Sequence, residues 1–530
     1  METGKWGLLA ILPLLASLLP LFLDFSPQPF PNKCSLLSQS HYWIASNRIV
    51  TPQGVVSGAV EIKGGNIESI VEGDWRGKTR SRHVVDYGDA VLMPGLIDVH
   101  THLDDPGQTE WEDFPSGTRA AAAGGLTTLI DMPLNSQPST VTKENFELKL
   151  SAAKERIFVN VGFWGGLSPE NAHNTTIMED LLEAGVLGLK SFMVPSGIND
   201  FPMTNITHIK VGLSVLAKYR RPLLVHSELL PEDHEDNAET ENGVENPRSY
   251  STYLKRRPAS MEQAAIRELL TVTEDTRTGG PAEGAHLHIV HLADARASLD
   301  LIKEAKKRGD SITIETCPHY LAFSAEEISD GDTRFKCAPP IRDAENRDKL
   351  WASVMDGHID MLSSDHSPSV PELKLFKEGD FLKAWGGISS LQFVLPATWT
   401  HGRKHGMTFE QLALLWSEKP AKLAGLNNKG KIVQGYDADL VVWEPEAEFV
   451  LDNVRDIYTK QPSITAYMGS KLTGKVVSTF VRGNQVYKEK EHASAACGSP
   501  ILAKESSSYQ MNIFSWLISS IGNLNWFPLF

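Results

Sequence analysis

The chain has 530 residues, with Lys plus Arg at 51 against Asp plus Glu at 66, a net charge of −15. Hydrophobic residues make up 41% and charged residues 22%, ordinary for a globular protein, which excludes a disordered chain, a collagen or a polytopic membrane protein. The acidic balance disfavours nucleic acid, whose phosphates need a basic surface, and four cysteines are too few for a disulfide framework.

At the N-terminus, Lys5 precedes an uncharged, mostly apolar run from Trp6 to Leu23 that ends at Asp24. Pro13 and Pro20 argue against a buried helix. The charge-then-apolar order is that of a secretory signal or a single membrane anchor. The expectation is the secretory pathway, with the endoplasmic reticulum as destination, lumenal or anchored. Two sequons, Asn174-Thr175-Thr176 and Asn205-Ile206-Thr207, are compatible with that route.

After a Pro/Ser-rich linker, Tyr42 to Ala45, Arg48 to Thr51, Val60 to Gly65 and Ile67 to Val71 read as short strands and turns. Apolar runs of the same kind return at Ala438 to Trp443 and Val476 to Val481. Each segment alone is too small for a good core, so the two ends are expected to pair into one small β-sandwich with the middle inserted. Cys34 and Cys497 flank its two halves and are expected to come close, able to form a disulfide in an oxidising compartment.

The middle alternates short apolar runs with helical patterns. The runs are Leu96 to Val99, Thr127 to Met132, Val159 to Trp164, Gly188 to Met193, Leu223 to His226, Leu287 to Leu292, Ile312 to Thr316 and Ile359 to Ser363. Their spacing, mostly roughly 25 to 40 residues, is that of a βα repeat. Helical patterns lie between them at Thr118 to Gly124, Ala264 to Leu270 and Ala297 to Arg308. Eight units predict an α/β chain with a (β/α)₈ TIM-like barrel. An open doubly wound sheet is the alternative, but no Gly-rich nucleotide loop follows the first run. The expected organisation is a leader and linker over 1–40, the first half of the β-sandwich over 41–92, the barrel over 93–427, the second half of the β-sandwich over 428–490 and a tail over 491–530.

Function in such a barrel sits at the C-terminal ends of the strands. Strand 1 ends in Asp98-Val99-His100-Thr101-His102, and residues i and i+2 of a strand point the same way. Run 5 ends in His226, run 6 carries His288 and His291, and run 8 leads into Asp365. His291 is preferred over His288 because it lies nearer the C-terminal end. Imidazoles and a carboxylate suit zinc, manganese, iron or cobalt. Lys190 lies in the apolar fourth run. It either reaches the rim or pairs with an acid, or burial leaves it a neutral amine that takes up CO₂ as a carbamate bridging two metals. With the histidines and Asp365 around it, the bridge is the preferred reading. Together these residues specify a two-metal hydrolytic site, with Asp365 moving the proton. Cys317 and Cys337 lack a CxxC or His partner pattern, so a thiolate role is not supported.

Met93-Pro94-Gly95-Leu96-Ile97-Asp98-Val99-His100-Thr101-His102 resembles the first-strand signature of the cyclic amidohydrolases, the superfamily of dihydroorotases, hydantoinases and allantoinases. Glu315 to Tyr320, Lys336 to Arg342 and Ser364 to Pro368 resemble it further, and the likeness spans about residues 41 to 490. Pro106-Gly107-Gln108-Thr109-Glu110-Trp111-Glu112 and Ala384 to Ile388 are similar to allantoinases. Dihydroorotases usually place an Arg for the substrate carboxylate where this chain has Asp104, an acid that would repel such a substrate.

The resemblance implies hydrolysis of the hydantoin ring of allantoin to allantoate. A hydantoinase activity, or a non-catalytic dihydropyrimidinase-like binding protein, is the alternative. It also implies two divalent metal ions, foremost zinc, held by His100, His102, Lys190, His226, His291 and Asp365, with Lys190 as N6-carboxylysine. Substrate contacts are expected at Cys317, Pro339, Ser367 and Gly387. A homo-oligomer, a tetramer by resemblance, is expected, and the apolar N-terminus with the tail from Phe514 to Phe530 suggests a plant secretory-pathway form.

Overall fold

A computed structural model describes residues 33–77, 79, 83–230 and 246–503. The apolar N-terminal run and the tail from Phe514 to Phe530 lie outside the described residues. Among the described residues, no helix is long and apolar enough to cross a membrane.

Five strands precede the barrel: β1 His41–Thr51, β2 Gly54–Lys63, β3 Asn66–Glu72, β4 Val84–Asp86 and β5 Val91–Pro94. The two strands expected over 42–51 are one, β1, because a register shift between Ser46 and Ile49 absorbs Asn47 without ending the pairing. The barrel strands are β6 Leu96–Thr101, β7 Leu126–Asp131, β8 Asn160–Phe163, the two-residue β9 Gly165–Gly166, β10 Leu189–Phe192, β11 Pro222–His226, β12 His286–Ile289, β13 Ile312–Thr316 and β14 Met361–Leu362. After them come β15 Leu440–Val450, β16 Lys471–Val481, β17 Asn484–Lys488, β18 Glu491–His492 and β19 Pro500–Ile501.

All eight expected runs form strands, parallel throughout. The ring closes where His102 N–H donates to His366 O at 2.8 Å. Helices follow the strands, as in Phe114–Ala123, Ser260–Thr273 and Ala297–Lys307. Phe114–Ala123 starts at Asp113, whose side chain accepts from Ser116 N, and stops at Gly124. The sixth strand stops at Ile289, which leaves His291 in the turn at φ 39°.

The two chain ends meet as expected. β15 runs antiparallel to β5, with Leu440 opposite Pro94 and Trp443 opposite Val91. The sandwich is built from a single nine-stranded sheet that folds over, so Ile44, Val60 and Ile67 share one core with Leu440, Val442 and Phe480. β5 spans the expected boundary at 93.

The C-terminal segment does not trail away from the molecule. β19 pairs in parallel with β8, Pro500 against Val161 and Ile501 against Gly162, and Ala503 N–H donates to Gly185 O at 2.8 Å. It therefore lies along the side of β8 away from β7, against the turn that leads into β10, and Ile501 packs against the barrel interior. Cys497 stands just ahead of it, bonded to Cys34 with Cα atoms 5.4 Å apart. The expected approach of these two cysteines is thus met.

A disulfide with a sequence separation of 463 restrains the unfolded chain strongly in the loop-entropy account. Cys34→Ser should cost about 2 to 4 kcal/mol of unfolding free energy, read by denaturant titration with the C-terminal segment cleaved first by protease. An unchanged midpoint would show that the segment is held by β19 alone.

Candidate active site

Side-chain alternation on β6 brings His100 and His102 to one side of the barrel mouth, their ring centroids 5.7 Å apart. Asp365 faces both, its Oδ1 3.2 Å from His100 Nε2 and 3.8 Å from His102 Nε2. His226, at the end of β11, and His291 have ring centroids 4.6 Å apart, and His291 lies 5.2 Å from His100. Asp365 (φ 44°) and His291 (φ 39°) hold left-handed backbone, a conformation costly for residues other than glycine and concentrated at functional sites. The preference for His291 over His288 agrees with their placement. His288 is buried between β12 and β13, 2.8 Å from Thr313 Oγ1 and 3.1 Å from Glu315 Oε2.

The histidines are oriented by residues that the motif reading did not single out. Glu315 Oε1 lies 2.6 Å from His100 Nδ1 and accepts the His291 backbone N–H at 3.3 Å. Asn135 Nδ2 lies 3.3 Å from His102 Nδ1. Glu228 Oε2 holds His226 Nε2 at 2.6 Å and is itself gripped by Arg257 at 2.6 to 3.0 Å. The contacts to His100, His102 and His226 each engage one ring nitrogen and leave the other for a further ligand, the arrangement that fixes metal-binding histidines. A signal for two of these residues is in the sequence: Glu315 is an acid inside an apolar strand, and Glu228 lies two residues past His226, on the same side.

The mouth of β14 is locked to β6. Asp98 Oδ1 accepts N–H groups from His100 (3.1 Å) and Ser364 (3.0 Å). His366 Nδ1 accepts from Ser390 N–H at 3.1 Å while its Nε2 lies 3.2 Å from Glu112. Glu112 thus helps fix the residue next to Asp365.

Burial, aided by the Lys190 charge, lowers His100 to about 4. Burial lowers His226 to about 4 as well, and it drives His102 and His291 well below the ordinary imidazole value. All four rings are therefore neutral at pH 7, as metal ligation requires. Burial pushes the Asp365 carboxyl well up, opposed by Lys190, and lowers Lys190 to about 7.

Lys190 is fully buried. Its Nζ has no hydrogen-bond partner, lying 5.1 Å from the Phe192 ring centroid. No ion pair with Asp365 forms within 4 Å among the described residues. An unsatisfied buried ammonium is costly, so this amine calls for a partner or for loss of its charge. His291 Nδ1 is likewise buried without a partner. His100, His102 and Asp365 present ligand atoms within 4.8 Å of one another. The orphaned atoms and this donor set fit divalent metal.

These residues open onto a cavity of about 410 Å³. Ser367 and Gly387 line it, as expected of substrate contacts, and so do Phe192, Ser196, Lys336 and Trp385. Cys317 and Pro339 do not. Cys317 is packed in the core, its thiol 3.7 Å from Ser363 Oγ. Pro339 gives its carbonyl to Tyr320 Oη at 2.8 Å while its neighbour Ala338 lines the cavity. Asp104 also lies outside the lining, 1% exposed. Burial, with Asp131 and Glu112 near, raises its carboxyl well above the usual range.

The model of the amidohydrolase family matches residues 91–486, and that of the allantoinase composite domain matches residues 37–90. The chain is 67% identical over 504 residues to an allantoinase of Arabidopsis thaliana, covering 94% of this chain and 98% of that protein. The chain belongs to the amidohydrolase family, among the allantoinases. It is 41% identical to an allantoinase of Streptomyces avermitilis, covering 84% of this chain and 96% of the relative. Among solved structures, the L-hydantoinase (dihydropyrimidinase) of Arthrobacter aurescens is similar with a TM-score of 0.78 at 26% identity, covering 88% of this chain and all of that one. The amidohydrolase fold implies a binuclear divalent-metal site, which the cluster of His100, His102 and Asp365 fits.

The Glu228–Arg257 pair gives a direct check on how His226 is held. Glu228→Gln should weaken metal retention about 10- to 100-fold, since partners behind the ligands typically carry that much. Dialysis against a metal buffer, followed by elemental analysis, reads it.

Proposed function

We infer that the chain is a cyclic amide hydrolase that opens the hydantoin ring of allantoin to allantoate. The observation that carries the chemistry is the cavity bringing His100, His102, His226, His291 and Asp365 around the orphaned amine of Lys190. The substrate assignment follows from membership among the allantoinases. His100, His102, Lys190, His226, His291 and Asp365 would hold two divalent ions, foremost zinc, with manganese, cobalt or iron also suited to the donor set. Bound there, such ions polarise the scissile carbonyl and make water acidic enough to attack near neutral pH.

The remaining work falls to side chains. Asp365 accepts the proton released as water attacks and delivers it to the ring nitrogen as the C–N bond breaks. Its raised proton affinity suits a group that must hold that proton between the two events. Lys190, neutral in part at pH 7, would take up CO₂ as a carbamate. That exchanges an unsatisfied ammonium for an anion with two oxygen donors. Glu315, Asn135 and Glu228 keep the imidazoles aimed. Ser367 and Gly387 contact the substrate from the wall.

Metal-loaded protein assayed against allantoin, a dihydropyrimidine and dihydroorotate tests this reading. Turnover of allantoin far above the others is expected. Preference for the dihydropyrimidine would make the chain a hydantoinase-type enzyme, and no turnover of any would make it a binding protein.

The chain is further assigned to the secretory pathway, destined for the endoplasmic reticulum, with the N-terminal run as signal or anchor. The Cys34–Cys497 bond favours an oxidising compartment, and Asn174 and Asn205 are both exposed. The full chain made in plant cells should shift in mass on N-glycosidase treatment and resist protease in sealed microsomes. A protease-sensitive, unshifted chain would place it elsewhere. A tetramer is expected by resemblance, to be read by sedimentation.

A further inference from the structure

The segment from Leu382 to Gly387 supplies five cavity-lining residues, Leu382, Ala384, Trp385, Gly386 and Gly387. Two lysines hold it, Lys374 from behind and Lys336, which itself lines the cavity. Lys374 is fully buried, and its Nζ donates to Trp385 O at 3.2 Å and Gly387 O at 2.6 Å. Lys336 is 8% exposed and donates to Leu382 O at 3.0 Å and Ala384 O at 2.5 Å. The backbone answers in the other direction, Gly387 N–H donating to Lys336 O at 2.7 Å. Neither ammonium has a carboxylate within 4 Å among the described residues.

Buried lysines without an acid are rare and costly, so four carbonyls gathered onto two buried lysine amines mark a segment whose shape those lysines set. The shape meets the catalytic side at both ends. A Cβ on Gly387 would lie 2.0 Å from Ser367 O, two residues past Asp365. Trp385 packs edge-on to Trp111 at 5.2 Å and lies within 3.3 Å of a Cβ placed on Gly197.

We propose that Lys336 and Lys374 are positioning residues that fix the 382–387 wall in the shape that recognises the ureido arm of the substrate. This rests on the allantoin reading. A ring whose scissile carbonyl lies beside Asp365 must send its substituent away from the histidine cluster, and this segment is the longest continuous stretch of wall left to receive it.

The test uses metal-loaded full-length protein carrying Lys374→Met, which keeps bulk and removes the donor. KM and kcat are measured for allantoin, and Ki for hydantoin, the same ring without the arm, as a competitor. Metal content and Tm are read alongside. The expected result is a KM for allantoin raised about tenfold while the hydantoin Ki moves less than about threefold and two metals remain. Equal losses for both ligands, or no change in either, would overturn the proposal. Lys374→Gln, which retains an amide donor, should recover part of the KM, and it carries the same comparison if Lys374→Met does not fold. Wild-type protein inactive on allantoin would instead sink the functional reading itself.

Discussion

Asp365→Asn should lower kcat by about 10²- to 10⁴-fold, the range for a lost general acid–base group, with the fold intact. The Asn amide fills the same volume at the mouth of β14. It cannot take a proton from water and return it to the leaving nitrogen. The loss should appear in kcat with secondary structure and Tm close to wild type, because the flanking Ser364 backbone is held by Asp98 and the His366 ring by Glu112 and Ser390, none of them through the Asp365 side chain. Metal content must be measured in the same sample, since Asp365 also stands among the candidate ligands. A variant keeping more than about a tenth of wild-type kcat with full metal would remove Asp365 from the proton path.

Lys190 should show an equally large effect with a different signature. Under the proposed carbamate, Lys190→Ala removes an anionic ligand and should retain metal poorly, with activity close to background. Short carboxylates such as formate or acetate should restore part of the rate by supplying oxygens in the space vacated. Lys190→Arg should not recover activity, because guanidinium stays protonated and cannot add CO₂. A lysine that served only as a cation for Asp365 predicts the reverse. Near-wild-type turnover by Lys190→Arg would therefore defeat the carbamate. Protein stripped of metal and CO₂ should also reactivate faster when bicarbonate accompanies the metal.

Much of this architecture was legible in the sequence, for reasons visible in particular elements. The eight barrel strands are buried on both faces, so they read as short apolar runs such as Leu126–Asp131 and Pro222–His226. The histidines were legible because alternation in β6 aims His100 and His102 alike. What escaped has no local period. β19 is two residues long, too short for any pattern, and its partner β8 lies far earlier in the chain. The folding-over of one sheet depends on which edges pair, which apolar runs do not encode. Cys317 and Pro339 sit in recognisable stretches, yet their side chains turn into the core while Ala338 and Ser367 turn outward; motif membership locates a loop, not the direction of each side chain.

The insertion of β19 bears on where this molecule can be cut. The residues proposed to hold metal and substrate all lie between His100 and Gly387, which invites excision of the barrel as a minimal enzyme. That fragment would lack the strand against β8 and the apolar contacts of Ile501. It would present an open sheet edge close to β10, which carries Lys190, and open edges recruit other chains. Excision at those boundaries should therefore lower the barrel's stability and solubility. The strand that covers β8 is delivered by the far end of the chain, so that edge is covered only after synthesis has passed Ile501.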